Sequence, residues 1–457
     1  MKRCLRIRVV MGKDRITELP EELLLQILSL PPTKTVITTS VLSKRWRSLW
    51  KLVPKLKFES DNQEDIAKFS ENVGRFLLSH KPPVLESLHI KVIDKNKETR
   101  CSIDVGVWVG IAIVRHVREL VLDLFLLNYS VRFPSSVFSC DTLETLKLKC
   151  SVLADVPSTV CMKSLRTLHL VSVGFKDNES VRNLISGCPN LEDLLIHRAT
   201  RCKVLTLVIA APSLKRLSIH RKRLSIHRKI GGQKEAGGYV INAPSLEYLK
   251  IRRFNHCECC LIENAPVLVK ATISNVSYIG NEKILGSLKS AKRLSLDLSP
   301  LEIKCPTGAI FYQLVYLEMY TREAEWWNLL MFMLDISPKL QVLKLIDHDK
   351  DDASYNDDVV TSGKWNEPKY VPECLSSCLE TFVWIRYGLE REEEKEVATY
   401  ILKNAELLKK ATFSTRPIES EELNKLEERR KLLLNELSRV KASNSCHLVF
   451  DGESIII

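Results

Sequence analysis

The hexapeptide LETLKL at residues 143–148 recurs along the chain and decides its architecture. Clear copies read LRTLHL at 165–170, LEDLLI at 191–196, LKRLSI at 214–219, LEYLKI at 246–251 and LQVLKL at 340–345. With apolar substitutes, the pattern L-x-x-L-x-L begins at Leu85, Val117, Leu143, Leu165, Leu191, Leu214, Leu246, Leu268, Ala291, Leu314, Leu340, Leu379 and Leu408. One long interval of 32 residues contains KRLSIHR twice in tandem, at 215–221 and 222–228, so it shortens to 25 when one copy is removed.

Most of these intervals fall in or near the range of about 20–29 residues that characterises leucine-rich repeats. The fourth and sixth positions of the pattern lie two residues apart, so in a strand both side chains point to the same side. Each repeat can bury them only against its neighbours. The sequence therefore predicts an α/β fold, a stacked solenoid with a parallel sheet on its concave wall and short helices that return the chain.

The alternate strand positions are then expected to face solvent on the concave side, where they form a ladder of polar residues. Any leucine-rich repeat has such a face, but solenoids commonly use it for binding, and Tyr and Arg are frequent anchors of interfaces. The candidates for contact with a protein substrate are His169, His197, Arg216, His220, Tyr248, Lys250, Arg252, Lys270, Arg293 and Tyr320.

The amino-terminal stretch DRITELPEELLLQILSLPPTKTVITTSVLSKRWRSLW, residues 14–50, does not follow the repeat. Pro20 can begin a helix that Pro31 and Pro32 end, Thr33 can cap a second helix, and Ser43 can cap a third. In residues 19–50, 14 of the 32 residues are Leu, Ile, Val or Trp. Three short helices have too little interior for all of them, so we expect some to form an interface.

This stretch resembles an F-box through Leu19-Pro20, Glu22-Leu23-Leu24, Ile27-Leu28, Leu30-Pro31, the run Leu42–Trp46 and Leu49-Trp50. The carboxy-terminal part is similar to an FBD module through Trp365, Val371-Pro372, Cys374-Leu375, Leu379-Glu380 and the run Ser445–Phe450. The order of segments resembles the plant F-box/FBD/LRR-repeat proteins. That resemblance implies a substrate receptor of an SCF-type ubiquitin ligase, which binds a Skp-type adaptor and, through it, cullin and RING subunits. The implied adaptor contacts are Leu19, Pro20, Leu23, Leu24, Ile27, Leu30, Val41, Leu42, Trp46 and Trp50.

The predicted domains follow from these segments. Relatives of this kind usually start just before Asp14, so residues 1–13 look like an extension and Met11 is an alternative start. The expected order is 1–13 extension, 14–60 F-box, 61–84 linker helix, 85–346 leucine-rich repeats, 347–364 acidic loop, 365–451 FBD domain and C-terminal cap, and 452–457 tail.

The formal charge of +12 is uneven, because residues 198–234 carry 11 Lys and Arg and no acid. Such patches attract nucleic acid or acidic proteins, but no groove-reading motif or aromatic interleaving favours nucleic acid. No apolar stretch approaches the length of a membrane span. The 14 cysteines lack framework spacing, which favours a reducing compartment, the nucleus and/or cytoplasm.

No catalytic motif is present, such as G-x-S-x-G, H-E-x-x-H or a phosphate-binding glycine loop. The cluster His256, Cys257, Cys259 and Cys260 lacks the second arm of usual zinc spacing, so a structural turn is favoured over a metal site. We therefore expect a non-enzymatic receptor subunit without cofactors. The alternative is a leucine-rich scaffold or a basic nucleic-acid-binding protein, in which the amino-terminal helices only cap the solenoid. The sequence leaves the substrate unidentified.

Overall fold

The structure is a computed structural model. It describes residues 16, 19–60, 65–80, 82, 84–94, 103–127, 129–198, 206–221, 238–254, 259–276, 283–298, 308–321, 325–347, 364–387, 391–415 and 423–451. The predictions for residues 1–13, the second KRLSIHR copy, His256, Cys257, the acidic residues 348–363 and the tail 452–457 lie outside the described residues. The chain divides into two compact units, unit 1 with residues 1–167 and 172–174, and unit 2 with residues 168–171 and 175–457.

The first unit contains helices at the amino terminus followed by parallel strands. Its helices are α1 Glu21–Leu28, α2 Thr33–Thr38, α3 Trp46–Leu49, α4 Ile66–Ser79 and α5 Val105–Val114. Its strands are β1 Lys55–Glu59, β2 Ser87–Asp94, β3 Glu119–Leu126, β4 Val131–Phe133, β5 Thr145–Lys149 and β6 Val152–Ala154. Strands β1, β2, β3 and β5 pair in parallel in that order, and β4 pairs with β6.

The second unit begins within β7 Thr167–Val171 and β8 Gly174–Phe175, which contain the residues where the units divide. Its further strands are β9 Asp193–Arg198, β10 Thr206–Ala210, β11 Arg216–Arg221, β12 Gly238–Asn242, β13 Tyr248–Phe254, β14 Cys259–Asn264, β15 Lys270–Val276, β16 Arg293–Leu298, β17 Tyr316–Tyr320, β18 Val342–Ile346, β19 Thr381–Ile385, β20 Lys410–Ser414 and β21 His447–Asp451. Its helices are α6 Asn178–Ser186, α7 Lys283–Ser287, α8 Trp326–Asp335, α9 Glu373–Ser377, α10 Glu392–Asn404 and α11 Leu423–Val440.

The predicted repeats are confirmed. A strand starts two residues after each predicted first position, and all of these first positions are buried. In β18, for example, Leu343 and Leu345 are completely buried, while the alternating residues Val342, Lys344 and Ile346 are half-buried. This alternation is the one that the strand geometry requires.

Two weaker copies of the pattern were missed, one at each end. Val53, Leu56 and Phe58 occupy the three motif positions at β1, and Ser445, Leu448 and Phe450 occupy them at β21. The first copy lies within the segment predicted to be the F-box, and the second has serine, which is not an apolar substitute, at its first position. Helix α4 lies between Val53 and the first predicted repeat, within residues 61–84.

The main sheet of unit 2 runs in the order β9, β11, β13, β15, β16, β17, β18, β19, β20 and β21, all parallel. The carboxy-terminal strands β19 to β21 therefore continue the repeat ladder. Phe382, Trp384, Tyr387 and Phe413 form its interior there, with T-shaped ring contacts whose centroids lie 4.9–5.5 Å apart for the Trp384–Tyr387, Tyr387–Phe413 and Phe382–Phe413 pairs. Helix α11 buries Leu433 and Leu437 beside this end.

The chain returns through strands where we predicted helices in part of unit 2. Strands β10, β12 and β14 form a second parallel sheet. Each is followed by Ala-Pro and the next repeat, as in Ile241-Asn242-Ala243-Pro244. The β-branched, alternating residues of these returns, such as Val208 and Ile209, favour a strand over a helix. Helical returns do occur at α6, as predicted, and at α8, where Trp326 and Trp327 are buried.

Candidate functional site

The segment of residues 19–53, here the helical module, has a small interior of its own. Its buried residues are Leu24, Leu28, Val36, Trp46, Leu49 and Val53, with Leu19, Leu25 and Trp50 packed against them. Leu24 is completely buried and Trp46 is 6 % exposed. Our prediction that these two side chains contact a partner directly was therefore wrong, because both are consumed by the module's own core.

Helix α1 is apolar on two faces. Leu24 and Leu28 lie four residues apart and face the interior, whereas Leu23 and Ile27, also four apart, are exposed. Leu30 follows on the exposed side after the helix ends and is 83 % exposed. Residues three and four apart share one side of a helix, so these three side chains lie along one stripe. While it is exposed to water, this stripe does not stabilise the free chain.

The second helical segment repeats this arrangement. Val36 is buried, while Ile37 is exposed, Val41 is 83 % exposed and Leu42 is 68 % exposed. We call the exposed residues the apolar patch, which comprises Leu23, Ile27, Leu30, Ile37, Val41 and Leu42. Large exposed apolar patches on soluble proteins mark interaction sites. Of the other predicted contacts, Pro20 is exposed, and Leu19 and Trp50 are half-buried.

The module is fastened to the first strand and to α4. Thr33 was predicted to cap α2, but Pro32 holds the cap position and the Thr33 hydroxyl accepts a hydrogen bond from the Lys57 backbone N–H at 2.9 Å. The rings of Trp50 and Phe76 lie 4.9 Å apart. Ser43 was predicted to cap the third helix, but Arg45 holds the cap position of α3. The Ser43 hydroxyl accepts from the Trp46 backbone N–H at 3.4 Å.

The second candidate surface is the side of the unit 2 sheet opposite the one on which the leucines are buried. We call it the open face. Strand pairing aligns its residues in rows, with Arg216 beside Tyr248, Tyr248 beside Lys270, and Lys270 beside Arg293. His197, His220 and Arg252 are aligned in the same way at the other end of their strands. The predicted face residues His169, Lys250 and Tyr320 also lie at alternate strand positions, so all ten are on the predicted side, while their role in binding stays a prediction.

Several of these residues already have partners within the face. Arg216 Nε lies 2.9 Å from the Asp193 carboxylate, and His169 Nε2 lies 3.7 Å from the same group. The Arg293 guanidinium lies 4.3 Å from the centre of the Tyr316 ring. Burial, followed by the neighbouring charges of Lys250 and Arg252, lowers the pKa of His220 to about 4. The surroundings of His220 are therefore strongly cationic.

Metal-ligating side chains and thiols bear on what chemistry the described residues can perform. Within the described residues, no group of His, Cys, Asp and Glu side chains is arranged to hold a metal ion. The thiols of Cys188 and Cys374 are buried, which raises the pKa of each to about 12 and keeps them protonated. In the part of the chain that the structure describes, no helix is long and apolar enough to cross a membrane.

Comparison with known proteins shows which families match the segments that carry the two surfaces. The F-box domain family matches residues 16–58, the family described as FBD-associated F-box protein At5g56370, LRR repeats, matches residues 105–271, and the FBD family matches residues 367–413. The F-box/FBD/LRR-repeat protein At3g52680 of Arabidopsis thaliana is 58% identical over 451 residues, which cover 98% of this chain and 95% of that protein.

The chain belongs to the F-box/FBD/LRR-repeat family. Two further Arabidopsis thaliana relatives, the F-box/FBD/LRR-repeat proteins At4g00160 and At2g04230, are each 55% identical. They cover 98% and 97% of this chain, and the alignments span 96% and 98% of their own lengths. The family points in general to an adaptor-type role in ubiquitin conjugation, without catalytic chemistry. The F-box match contains the helical module and most of β1, and the FBD match contains β19 and most of β20.

The junction between the F-box and the first repeats contains a buried histidine. His80 Nε2 lies 2.9 Å from the Val53 carbonyl oxygen, and Nδ1 lies 3.3 Å from the Arg115 guanidinium. The ring therefore donates through Nε2 and accepts at Nδ1, which is the neutral form. Burial lowers the pKa of His80 to about 4, and the Arg115 charge acts in the same direction. The hydrogen bond to Val53 raises the pKa but is outweighed.

We expect this junction to lose stability in mild acid. Between pH 6.5 and about pH 4 the unfolded chain binds a proton at His80 and the folded chain does not, so the free energy of unfolding falls as the pH falls. The pKa difference corresponds to about 3 kcal/mol. His80→Gln keeps a donor and an acceptor without the ionisation, so its thermal unfolding midpoint should depend less on pH in this window. Equal pH profiles for the two proteins would contradict the assignment.

Proposed function

We propose that this chain is the substrate-recognition subunit of an SCF-type ubiquitin ligase. The apolar patch of the F-box binds a Skp-type adaptor and, through it, the cullin and RING subunits. The open face of the repeats binds the protein to be ubiquitinated. F-box domains in general bind Skp1-type adaptors, and membership of the family supports the same role here.

The exposure of the apolar patch is the observation that carries the proposal. The core of the helical module is already filled by its own residues, and yet Leu30, Val41 and Leu42 are each more than two-thirds exposed. Fully burying a side chain of this size is worth about 1.5–3 kcal/mol. A partner that covers the patch therefore gains several kilocalories per mole before any polar contact is counted.

The alternative, in which the amino-terminal helices only cap the repeats, requires those helices to bury their large apolar side chains against the repeats. The contacts that fasten the module are made by Thr33, Trp50 and Val53, none of which belongs to the apolar patch. The patch residues stay exposed while these contacts hold the module, which favours adaptor binding over capping.

The role needs no chemistry from this chain. A receptor that holds a substrate beside a partner's activated ubiquitin raises the effective concentration of the substrate lysine, and linked binding sites reach millimolar effective concentrations with short linkers. The helical module is packed against α4 through the Trp50–Phe76 contact and is held to β1 by the Thr33–Lys57 hydrogen bond, so the adaptor and the first repeats share a defined geometry. The role also implies residence in the nucleus and/or cytoplasm.

Reconstitution tests the proposal. The full chain, co-expressed with a Skp-type adaptor, should co-purify with it, and addition of cullin and RING subunits should produce one assembly that ubiquitinates captured proteins. The variant Leu19→Ala with Pro20→Ala should reduce adaptor recovery, but Leu19 also packs on the module's core and its carbonyl accepts from Arg45 at 2.8 Å. Substitutions in the exposed patch are therefore cleaner probes. Co-purification of the repeats without adaptor would count against the ligase role.

A further inference from the structure

The open face of unit 2 carries a block of positive charge with few partners. Lys250, Arg252 and Lys270 lie on β13 and β15, and among the described residues none of the three forms an ion pair. Arg293 on β16 lies 4.3 Å from the centre of the Tyr316 ring and is exposed. Arg216 on β11 shares Asp193 with His169. We call these five residues, Arg216, Lys250, Arg252, Lys270 and Arg293, the cationic block.

The low pKa of His220 is consistent with this block. Apart from burial, the groups that lower it are Lys250, Arg252, His197 and Arg253, all of which are cations or can become so. A group that resists protonation in this position indicates a positive local potential, and a negatively charged ligand would relieve it.

The open face changes character toward the FBD end. Glu318, beside the cationic block, is already neutralised by Lys344 at 3.1 Å and by hydrogen bonds from Ser295 and Tyr316. On the next two strands, β18 and β19, four of the six open-side positions carry aliphatic side chains, and the other two are Thr381 and Lys344, the partner of Glu318. We call the four the aliphatic block, namely Val342, Ile346, Val383 and Ile385, of which Ile346 and Ile385 lie directly opposite each other.

The two blocks are spaced for an extended segment. Strands in a sheet lie about 4.8 Å apart, so the four strands from β11 to β16 span about 14 Å and the seven strands from β11 to β19 span about 29 Å. An extended chain advances about 3.3 Å per residue. Some four or five residues therefore cross the cationic block, and about nine residues reach the aliphatic block.

We propose that the open face of unit 2 binds an extended, acidic protein segment that continues into aliphatic residues. Its Asp and Glu carboxylates pair with Lys250, Arg252, Lys270 and Arg293, and its Leu, Ile or Val side chains pack on the aliphatic block. This inference rests on the proposed function, and it names the class of substrate that the receptor would select.

A protein segment fits the face better than a nucleic acid. Asp297 lies on the open side of β16, in the same row as Arg252 and two strands from it. A uniformly charged phosphate backbone would meet this carboxylate and then the aliphatic block, and both contacts are unfavourable. A protein segment can place neutral or apolar residues at those points.

Fluorescence anisotropy on the full chain bound to its adaptor tests the proposal. The probes are a labelled peptide of Asp and Glu followed by Leu and Val, a peptide of Asp and Glu alone, and a single-stranded RNA of similar charge. The mixed peptide should bind more tightly than the acidic peptide, and its affinity should fall several-fold when salt rises from about 50 mM to about 200 mM. Tightest binding by the RNA, or no binding by either peptide, would overturn the proposal.

Two pairs of substitutions separate the blocks. Lys250→Glu with Lys270→Glu should weaken both peptides at least tenfold, whereas the matched control Lys289→Glu with Lys339→Glu, which changes the net charge equally at exposed positions outside the strands, should leave both unchanged. Val383→Thr with Ile385→Thr should weaken only the mixed peptide. Equal effects of the lysine pair and its control would overturn the proposal.

Adaptor binding distinguishes the failure of this inference from the failure of the proposed function. If the adaptor co-elutes with the chain and the peptides do not bind, this inference fails while the proposed function stands. If the adaptor does not bind, the proposed function fails irrespective of the peptides.

Discussion

Replacing Leu30 and Leu42 by aspartate is expected to reduce adaptor affinity at least about 100-fold, since each lost hydrophobic contact costs about 1.5–3 kcal/mol and every 1.4 kcal/mol is a tenfold change. Each substitution would also place a charge in an interface that excludes water, which adds a desolvation cost. Both side chains are largely exposed in the free chain, so the fold should be unaffected. Titration of the purified double variant with the adaptor measures the loss.

The control for this variant is an equal change elsewhere in unit 1. Leu78 and Val114 are 66 % and 79 % exposed and lie outside the F-box, so Leu78→Asp with Val114→Asp introduces the same charges on comparable aliphatic residues. The control should bind the adaptor normally. If both double variants bind like the unchanged protein, the apolar patch is not the adaptor site.

The second large effect is expected from Trp46→Ala, which should unfold the helical module. Trp46 is 6 % exposed within a core of six residues. Truncation of a buried aromatic residue costs about 3–5 kcal/mol, and so small a core has few other contacts to compensate. Adaptor binding should be lost as well, but indirectly, because the patch loses its support.

Hydrogen exchange distinguishes this indirect loss from the direct one. In Trp46→Ala the amides of α1 and α2 should exchange much faster, whereas strands β9 to β21 should keep their protection, since stability varies locally within a chain. In the Leu30 and Leu42 variant, protection of α1 should be unchanged. The conservative change Trp46→Phe should retain most of the protection. Unaltered exchange of α1 in Trp46→Ala would contradict the described core.

The repeats could be predicted almost completely from the sequence because their information is local and periodic. Every coil buries its leucines against the previous one, so the same spacing recurs wherever the fold continues, and Leu85 and Leu408 are buried alike. The end strand β21 escaped because its first position is Ser445, and β1 escaped because it lies in the segment predicted to be the F-box. There the strand is stabilised by pairing with its neighbour, which a single hexapeptide does not reveal.

The F-box surface could be predicted only in part. Both sides of α1 are apolar, so spacing identifies a helix but does not say which stripe faces inward. The structure assigns Leu24 and Leu28 to the core and Leu23 and Ile27 to solvent. Thr33 is likewise a residue type that commonly caps helices, yet its hydroxyl accepts a hydrogen bond from the backbone of a strand 24 residues away.

The aliphatic block shows a further limit. The prediction concentrated on charged and aromatic residues of the ladder, and Val383 and Ile385 read as ordinary strand residues. Their significance appears only when the register places them on the open side, where Ile385 lies opposite Ile346 and Val383 lies opposite Lys344. The alternation of the repeat was sufficient to show this, since all four occupy the positions that alternate with the buried residues of their strands.

Calorimetric titration of the full chain with a Skp-type adaptor tests the central claim most directly. We predict a complex of one chain with one adaptor, with a dissociation constant below about 1 μM, corresponding to more than about 8 kcal/mol of binding free energy. Its heat capacity change should be negative, because the apolar patch leaves water on binding. The Leu30→Asp, Leu42→Asp variant should lose both signals. Absence of a complex between the unaltered chain and the adaptor would contradict the account.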